Sequence, residues 1–109
     1  MSVDAVFAAL ADGTRRELLA QVAQRGAATP TELAAEVPVS RQAVTKHLNA
    51  LAGAGLVEAS REGRETRYRP TPRPLGDAIA WMVDVGARWD ERLGALERSA
   101  ARRSRTPAS

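Results

Sequence analysis

The sequence predicts a mainly helical chain with one small β-hairpin, its elements running in the order α-α-α-α-β-β-α. Three observations carry this. Aliphatic residues and alanine supply nearly all of the 44% hydrophobic fraction, whereas only Phe7, Tyr68, Trp81 and Trp89 are aromatic, a balance that favours close-packed helices over a sandwich or barrel. Apolar residues recur at helical spacing through most of the chain, punctuated by capping residues, glycine and proline. Residues 56–69 alone break this pattern, with two strand-like stretches around Glu62-Gly63-Arg64. At 109 residues the chain has the size of one domain. That domain is expected over residues 1–97, followed by a basic tail over 98–109.

The elements follow in order. Val6, Phe7, Leu10 and Ala11 have helical spacing, and Asp12-Gly13 ends the first helix. Thr14 is expected to cap a second, with Leu18, Leu19 and Val22 facing inward and Gly26 as its stop. Thr29-Pro30-Thr31-Glu32 reads as a capping box with proline in the first turn, opening a third helix that must end before Pro38. Ser40 caps a fourth, residues 41 to about 52, closed by Gly53 and Gly55. Two short helices joined by a tight turn make a helix-turn-helix, and the hairpin after them makes a wing. A last helix is expected from about residue 75, beyond Pro70, Pro72 and Pro74, to about residue 97. The tail lacks apolar periodicity and is expected to be disordered.

No cysteine occurs, so disulfides, thiolate metal ligands and thiol redox switches are excluded, and a cytoplasmic location fits. No apolar run approaches the roughly 18 residues of a membrane helix, and residues 1–10 lack a basic region ahead of their apolar one, so neither membrane insertion nor export is expected. The formal charge is only +3, but residues 38–73 carry seven basic and three acidic side chains. Residues 1–37 and 74–97 are mildly acidic, and the tail is basic again. A basic middle on an otherwise ordinary domain is the footprint of a face that binds a polyanion.

The fourth helix shows how. On a wheel at about 100° per residue Val44, Leu48 and Leu51 form a narrow apolar stripe. Gln42, Thr45, Lys46 and Asn49 occupy the other side, with Arg41 at the start, a set able to meet base edges and phosphates. Four polar residues alone would be a solvated face; the preceding helix, the tight turn and the basic hairpin favour double-stranded DNA. Gln42 and Thr45, in the first turns, are expected to read bases, and Lys46 and Ser40 to hold phosphates. His47, the only histidine, borders the stripe, where packing and a phosphate contact are both open; a lone imidazole cannot make a metal site that needs three or four ligands. Arg61, Arg64, Arg67 and Arg69 of the hairpin are interleaved with Glu62 and Glu65. Charge on an edge strand is one reading, but beside a recognition-type helix the wing is expected on phosphates or in a minor groove, through Arg64 and Arg67 first and Arg61 with them.

Leu75, Ile79, Met82, Gly86, Trp89, Leu93 and Leu96 form a stripe on the last helix longer than a small domain covers by itself. Helix-to-helix homodimerisation is the expected solution, with an aromatic effector pocket around Trp81, Met82 and Trp89 as the rival. Asp77, Asp84 and Glu91 recur every seven residues on the other face, about 10 Å apart and too far to share one ion. They read as a solvated acidic face with Asp84 paired to Arg88. An enzyme is not expected, since the sole histidine has no carboxylate within local sequence reach; a winged-helix protein-interaction module is the alternative to DNA binding.

Over LADGTRRELL, TELAAEVPVSRQAVTKHLNALAGAGLV and REGRETRYRP, and from residue 6 to about 97 in all, the sequence resembles the ArsR family of winged-helix repressors. The resemblance implies a homodimer through the first helix, with Val6, Phe7 and Leu10, and the last. It also implies a near-palindromic operator with recognition helices in successive major grooves, and repression by occupying promoter DNA. Metal sensors of the family carry cysteines on the third helix or His and Asp sets on the last. Here those regions read TELAAEV and DAIAWMVDVGARWDERL, so the sequence looks like the non-metal-sensing branch, with no cofactor expected and the inducer unspecified. The closing AWMVDVGARWDERLGALE is similar to members found beside lipid-binding-type domains.

Overall fold

The computed structural model describes residues 3–104. The chain divides into two units, one ending at Ala78 and the other beginning at Ile79.

In the first unit, α1 (Val3–Leu10) and α2 (Gly13–Arg25) precede the helix pair α3 (Pro30–Ala34) and α4 (Arg41–Gly53). Asp12, not the expected Thr14, caps α2. Its Oδ1 accepts from the Thr14 amide at 2.8 Å and the Arg15 amide at 3.1 Å, so Thr14 lies in the first turn, and a carboxylate facing two unpaired amides is the stronger cap. Gly26 ends α2 at φ 80°, a left-handed conformation that favours glycine. The capping box of α3 forms as the spacing predicts: Thr29 Oγ1 accepts from the Glu32 amide at 3.2 Å, and Glu32 Oε1 accepts from the Thr29 amide at 2.9 Å. Ser40 Oγ accepts from the Ala43 amide at 3.1 Å and starts α4.

The wing is an antiparallel pair, β1 (Val57–Glu62) with β2 (Glu65–Pro70), in a register that sets Val57 opposite Pro70 and Glu62 opposite Glu65. Glu62, expected in the turn, therefore belongs to the strand, and Gly63-Arg64 alone make the turn. Gly63 takes φ 64°, which a two-residue hairpin requires. A feature with no local signal adds a third edge: Ala28 forms a β-bridge with Tyr68, amide to carbonyl in both directions at 3.0 and 2.9 Å. The core between these elements is aliphatic. Leu18, Val22, Leu33, Val44, Leu48 and Leu51 are fully buried, Leu56 and Tyr68 nearly so; the three α4 residues are the stripe read from the wheel.

Helix α5 runs from Pro72 to Ser104, longer at both ends than the expected 75–97. Pro72 and Pro74 fall in the first turn, where a helix has no use for the missing N–H. At the other end Ala100 and Ala101 are strong helix formers, and Arg102 and Arg103 complement the negative end of the helix dipole. Residues 98–104, expected in a disordered tail, are thus helical; the rest of that tail, 105–109, lies outside the described residues. Ala78 is buried in the core of the first unit and Leu75 packs against it.

The second unit is the remainder of α5. Ile79, Trp81, Met82, Val83, Val85, Trp89, Leu93 and Leu96 are all exposed on it. Asp84 pairs with Arg88 at 3.0 Å, as the i,i+4 spacing predicts. No helix among the described residues is long and apolar enough to cross a membrane.

Candidate nucleic-acid interface

Buried Val44, Leu48 and Leu51 fix the rotation of α4 and thereby decide which residues it presents outward. Arg41, Gln42, Lys46 and Asn49 are exposed; Thr45 and His47 are half-buried. The Thr45 hydroxyl donates to the Arg41 carbonyl at 3.0 Å, a back-bond common for threonine in helices. That hydrogen is committed to the helix, which leaves the methyl and the oxygen lone pairs to face outward.

Two of the residues expected on DNA are engaged by the protein. His47 Nδ1 accepts from Arg15 Nε at 3.3 Å, which joins α4 to α2 and favours the packing reading of this histidine. Asn49 Oδ1 accepts from the Tyr68 hydroxyl at 3.0 Å, which joins α4 to the wing. Burial pushes the Tyr68 phenol up from its ordinary pKa, so the group stays a donor.

The wing arginines, alike in sequence, separate into two pairs. Arg67 was expected on phosphate, but its guanidinium faces three carboxylates: Glu62 at 3.1 Å, Glu32 at 3.5 Å and Glu65 at 3.6 Å. The reason lies in the register, which sets Glu62 directly opposite Glu65; like charges so placed repel, and Arg67 neutralises both. Arg69 donates to Glu62 at 2.7 Å and to Ser60 Oγ at 2.8 Å. Arg64, by contrast, is exposed and makes no ion pair among the described residues, and Arg61 makes only a bond from Nε to the Gly63 carbonyl at 3.3 Å.

These two and Arg41 line one cleft between the wing, the start of α3 and the first turns of α4, together with Thr29, Thr31, Thr45, Thr66 and Tyr68. Three guanidinium groups from two elements meet there with Glu65 as the only carboxylate lining it. Gln42 lies beside Arg41 and Thr45 in an adjoining depression. The structure therefore brings Arg41, Thr45, Arg61 and Arg64 together and leaves Arg67, His47 and Asn49 in protein contacts. Nothing in the sequence marks Thr29, Thr31, Thr66 and Tyr68 as residues of this cleft; the capping box is the only local signal near them.

Three carboxyls around this face are held below their ordinary pKa. For Glu62 the hydrogen bond from Arg69 is the main cause, with the charges of Arg69 and Arg67 adding to it. For Glu32 the Thr29 amide is the main cause, then the Thr29 hydroxyl, with Arg67 and Arg25 adding charge. For Asp12 it is the Arg15 amide, then that of Thr14, with His47 and Arg15 nearby. Among the described residues no three of His, Asp or Glu gather into a set able to hold a metal ion.

The residues expected between two copies divide similarly. Val6 is 1% exposed and lies in the chain's own core, so it has no area to give a partner; Phe7 and Leu10 are half-buried. Ile79, Met82, Trp89 and Leu93 are open, with Gly86 partly covered among them.

A helix-turn-helix domain model matches residues 10–59, which span α2, α3, α4 and the start of the wing. The regulator CmtR of Mycobacterium tuberculosis is 40% identical over 77 residues; the match covers 71% of this chain and 64% of CmtR, so the chain spans less than two thirds of that relative. Among solved structures, an ArsR-like transcriptional regulator from Rhodococcus sp. RHA1 is 45% identical with a TM-score of 0.75, covering 90% of this chain and 92% of that one. The winged helix-turn-helix domain of Mb0332 from Mycobacterium bovis, described as homodimeric, is 33% identical with a TM-score of 0.61 over 84% and 81% of the two chains. With these likenesses over nearly the whole fold, the chain belongs to the ArsR family of winged helix-turn-helix transcriptional regulators.

Proposed function

We propose that this chain acts as a homodimeric, sequence-specific DNA-binding repressor of the cytoplasm that occupies a near-palindromic operator. Each α4 enters a major groove, about one helical turn or 34 Å from its counterpart, and each wing lies on the adjacent backbone or minor groove. The observation that carries this reading is the cleft where Arg41, Arg61 and Arg64 meet without ion-pair partners among the described residues, beside the exposed Gln42. Unpaired arginines at the border between a recognition-type helix and a hairpin are suited to a phosphate, while Gln42 is suited to a base edge.

The homodimer rests on the open apolar side chains of α5, Ile79, Met82, Trp89 and Leu93, which are more than a soluble helix leaves in water without a partner. The homodimeric Mb0332 domain supports the same reading. Selection of bound sequences from a random duplex pool tests it. Enrichment of an inverted repeat with half-sites one turn apart is the expected result; no enrichment over input at low salt overturns it.

A further inference from the structure

Strand β2 is fastened to the helix-turn-helix through two successive residues. The backbone of Tyr68 pairs with Ala28 and its hydroxyl with Asn49, while Arg67, on the opposite face of the strand, reaches Glu32 at the start of α3. We propose that Arg67 is a positioning residue for DNA binding: its ion pair with Glu32 sets the angle of the wing so that Arg61 and Arg64 face Arg41 across the cleft, and it does not itself contact phosphate. This rests on the DNA-binding reading above.

Three features point this way. The carboxylate of Glu32 is held in advance, since its Oε1 already accepts from the Thr29 amide at 2.9 Å; Arg67 therefore finds a fixed partner rather than a free side chain. Removing Arg67 to a phosphate would leave Glu65, opposite Glu62 in the hairpin, without its cation, and Glu62 with Arg69 alone. The lever is short and steep. Arg64 lies three residues from Arg67, about 10 Å along the strand, so a tilt of about 10° at the clamp displaces the tip by about 2 Å, enough to lose a phosphate contact.

The two roles predict opposite signs for one substitution. Glu32→Gln keeps the capping-box acceptor, because glutamine serves there as well as glutamate, and removes only the charge. If Glu32 is merely a negative charge near the DNA, E32Q tightens binding; if it holds the wing, E32Q weakens it, by about two- to fivefold for a partly exposed pair. Arg67→Gln is expected to weaken binding as well, and the E32Q/R67Q double variant to bind no worse than R67Q alone. In the free protein, amide exchange at Ala28 and Tyr68 is expected to quicken in E32Q while the core amides of α2 keep their protection. Tighter or unchanged DNA binding by E32Q, or losses that simply multiply in the double variant, overturns the proposal. Should the wild-type chain bind no duplex at all, the DNA reading falls by itself, and the exchange rates at Ala28 and Tyr68 still decide whether Glu32 and Arg67 hold the wing.

Discussion

The Tyr68 hydroxyl donates to Asn49 Oδ1 at 3.0 Å, a direct bond between the wing and the outward side of α4. Asn49 is consequently engaged in holding the wing and α4 together. Tyr68→Phe is expected to lower stability by about 1 kcal/mol, the worth of one such bond, read from chemical denaturation. Because the buried ring remains, the fold should survive. No loss of stability would show that the bond contributes nothing in water.

Gln42 stands free at the start of α4, so its amide is available to meet adenine N6 and N7. Gln42→Ala is expected to cost about 1 to 3 kcal/mol at one operator position and to relax preference there. Thr45 differs because its hydroxyl hydrogen is committed to the Arg41 carbonyl. Under the proposed function its methyl is then the group left to meet a base, and Thr45→Ser should harm a thymine position more than Thr45→Val. Titration of all single-base variants of a selected operator measures both; a uniform loss across variants would reassign Gln42 to the backbone.

Arg61 and Arg64 carry the free charge of the wing, and each alanine substitution is expected to flatten the dependence of log affinity on log salt by about one unit. Arg69→Ala, whose guanidinium is held by Glu62 and Ser60, should leave that slope nearly unchanged. Equal slopes for all three would mean that the ion pairs of the wing open on binding.

Acid should loosen the fold in a defined direction. Asp12 and Glu32 hold protons less tightly when folded than when unfolded, so their contribution is fully present above the unfolded carboxylate range, about pH 4. It is lost as pH falls through their lower folded values. Asp12→Asn preserves the cap but not the titration, so its stability should fall less steeply than wild type between about pH 5 and pH 2. Urea midpoints across that range give the comparison, and parallel curves would rule Asp12 out as a source of acid sensitivity.

The exposed Trp89, 65% accessible, is expected at the centre of a pairing surface. Trp89→Glu should weaken self-association by about 2 kcal/mol or more, the scale of a buried aromatic anchor, as measured by sedimentation. A wild-type chain that sediments as a monomer at micromolar concentration would overturn the dimer.

Sequence alone revealed what local chemistry encodes. Thr29 with Glu32, Ser40, and the spacing of Val44, Leu48 and Leu51 each specify their structure within a turn or two, and they suffice to orient α4. Arg64 and Arg67 could not be told apart in the same way, because their difference lies in Glu32, far away along the chain, and in a register that puts Glu62 opposite Glu65. The Ala28 bridge was invisible for the same reason. Prolines 72 and 74 misled in another manner: they read as breaks before a helix, yet a first turn accepts them without cost.

The wing is secured by two kinds of bond, and they would constrain descent differently. Amide-to-carbonyl pairing between Ala28 and Tyr68 is indifferent to side-chain identity, so position 28 is open to any small residue but proline. The bond from Arg67 to Glu32 is between side chains, so the tie from the wing to α3 needs both of them, while Arg67 keeps Glu62 and Glu65 whatever stands at position 32. Divergent copies of this chain that keep the tie would therefore be expected to change positions 32 and 67 in concert, while position 28 varies on its own.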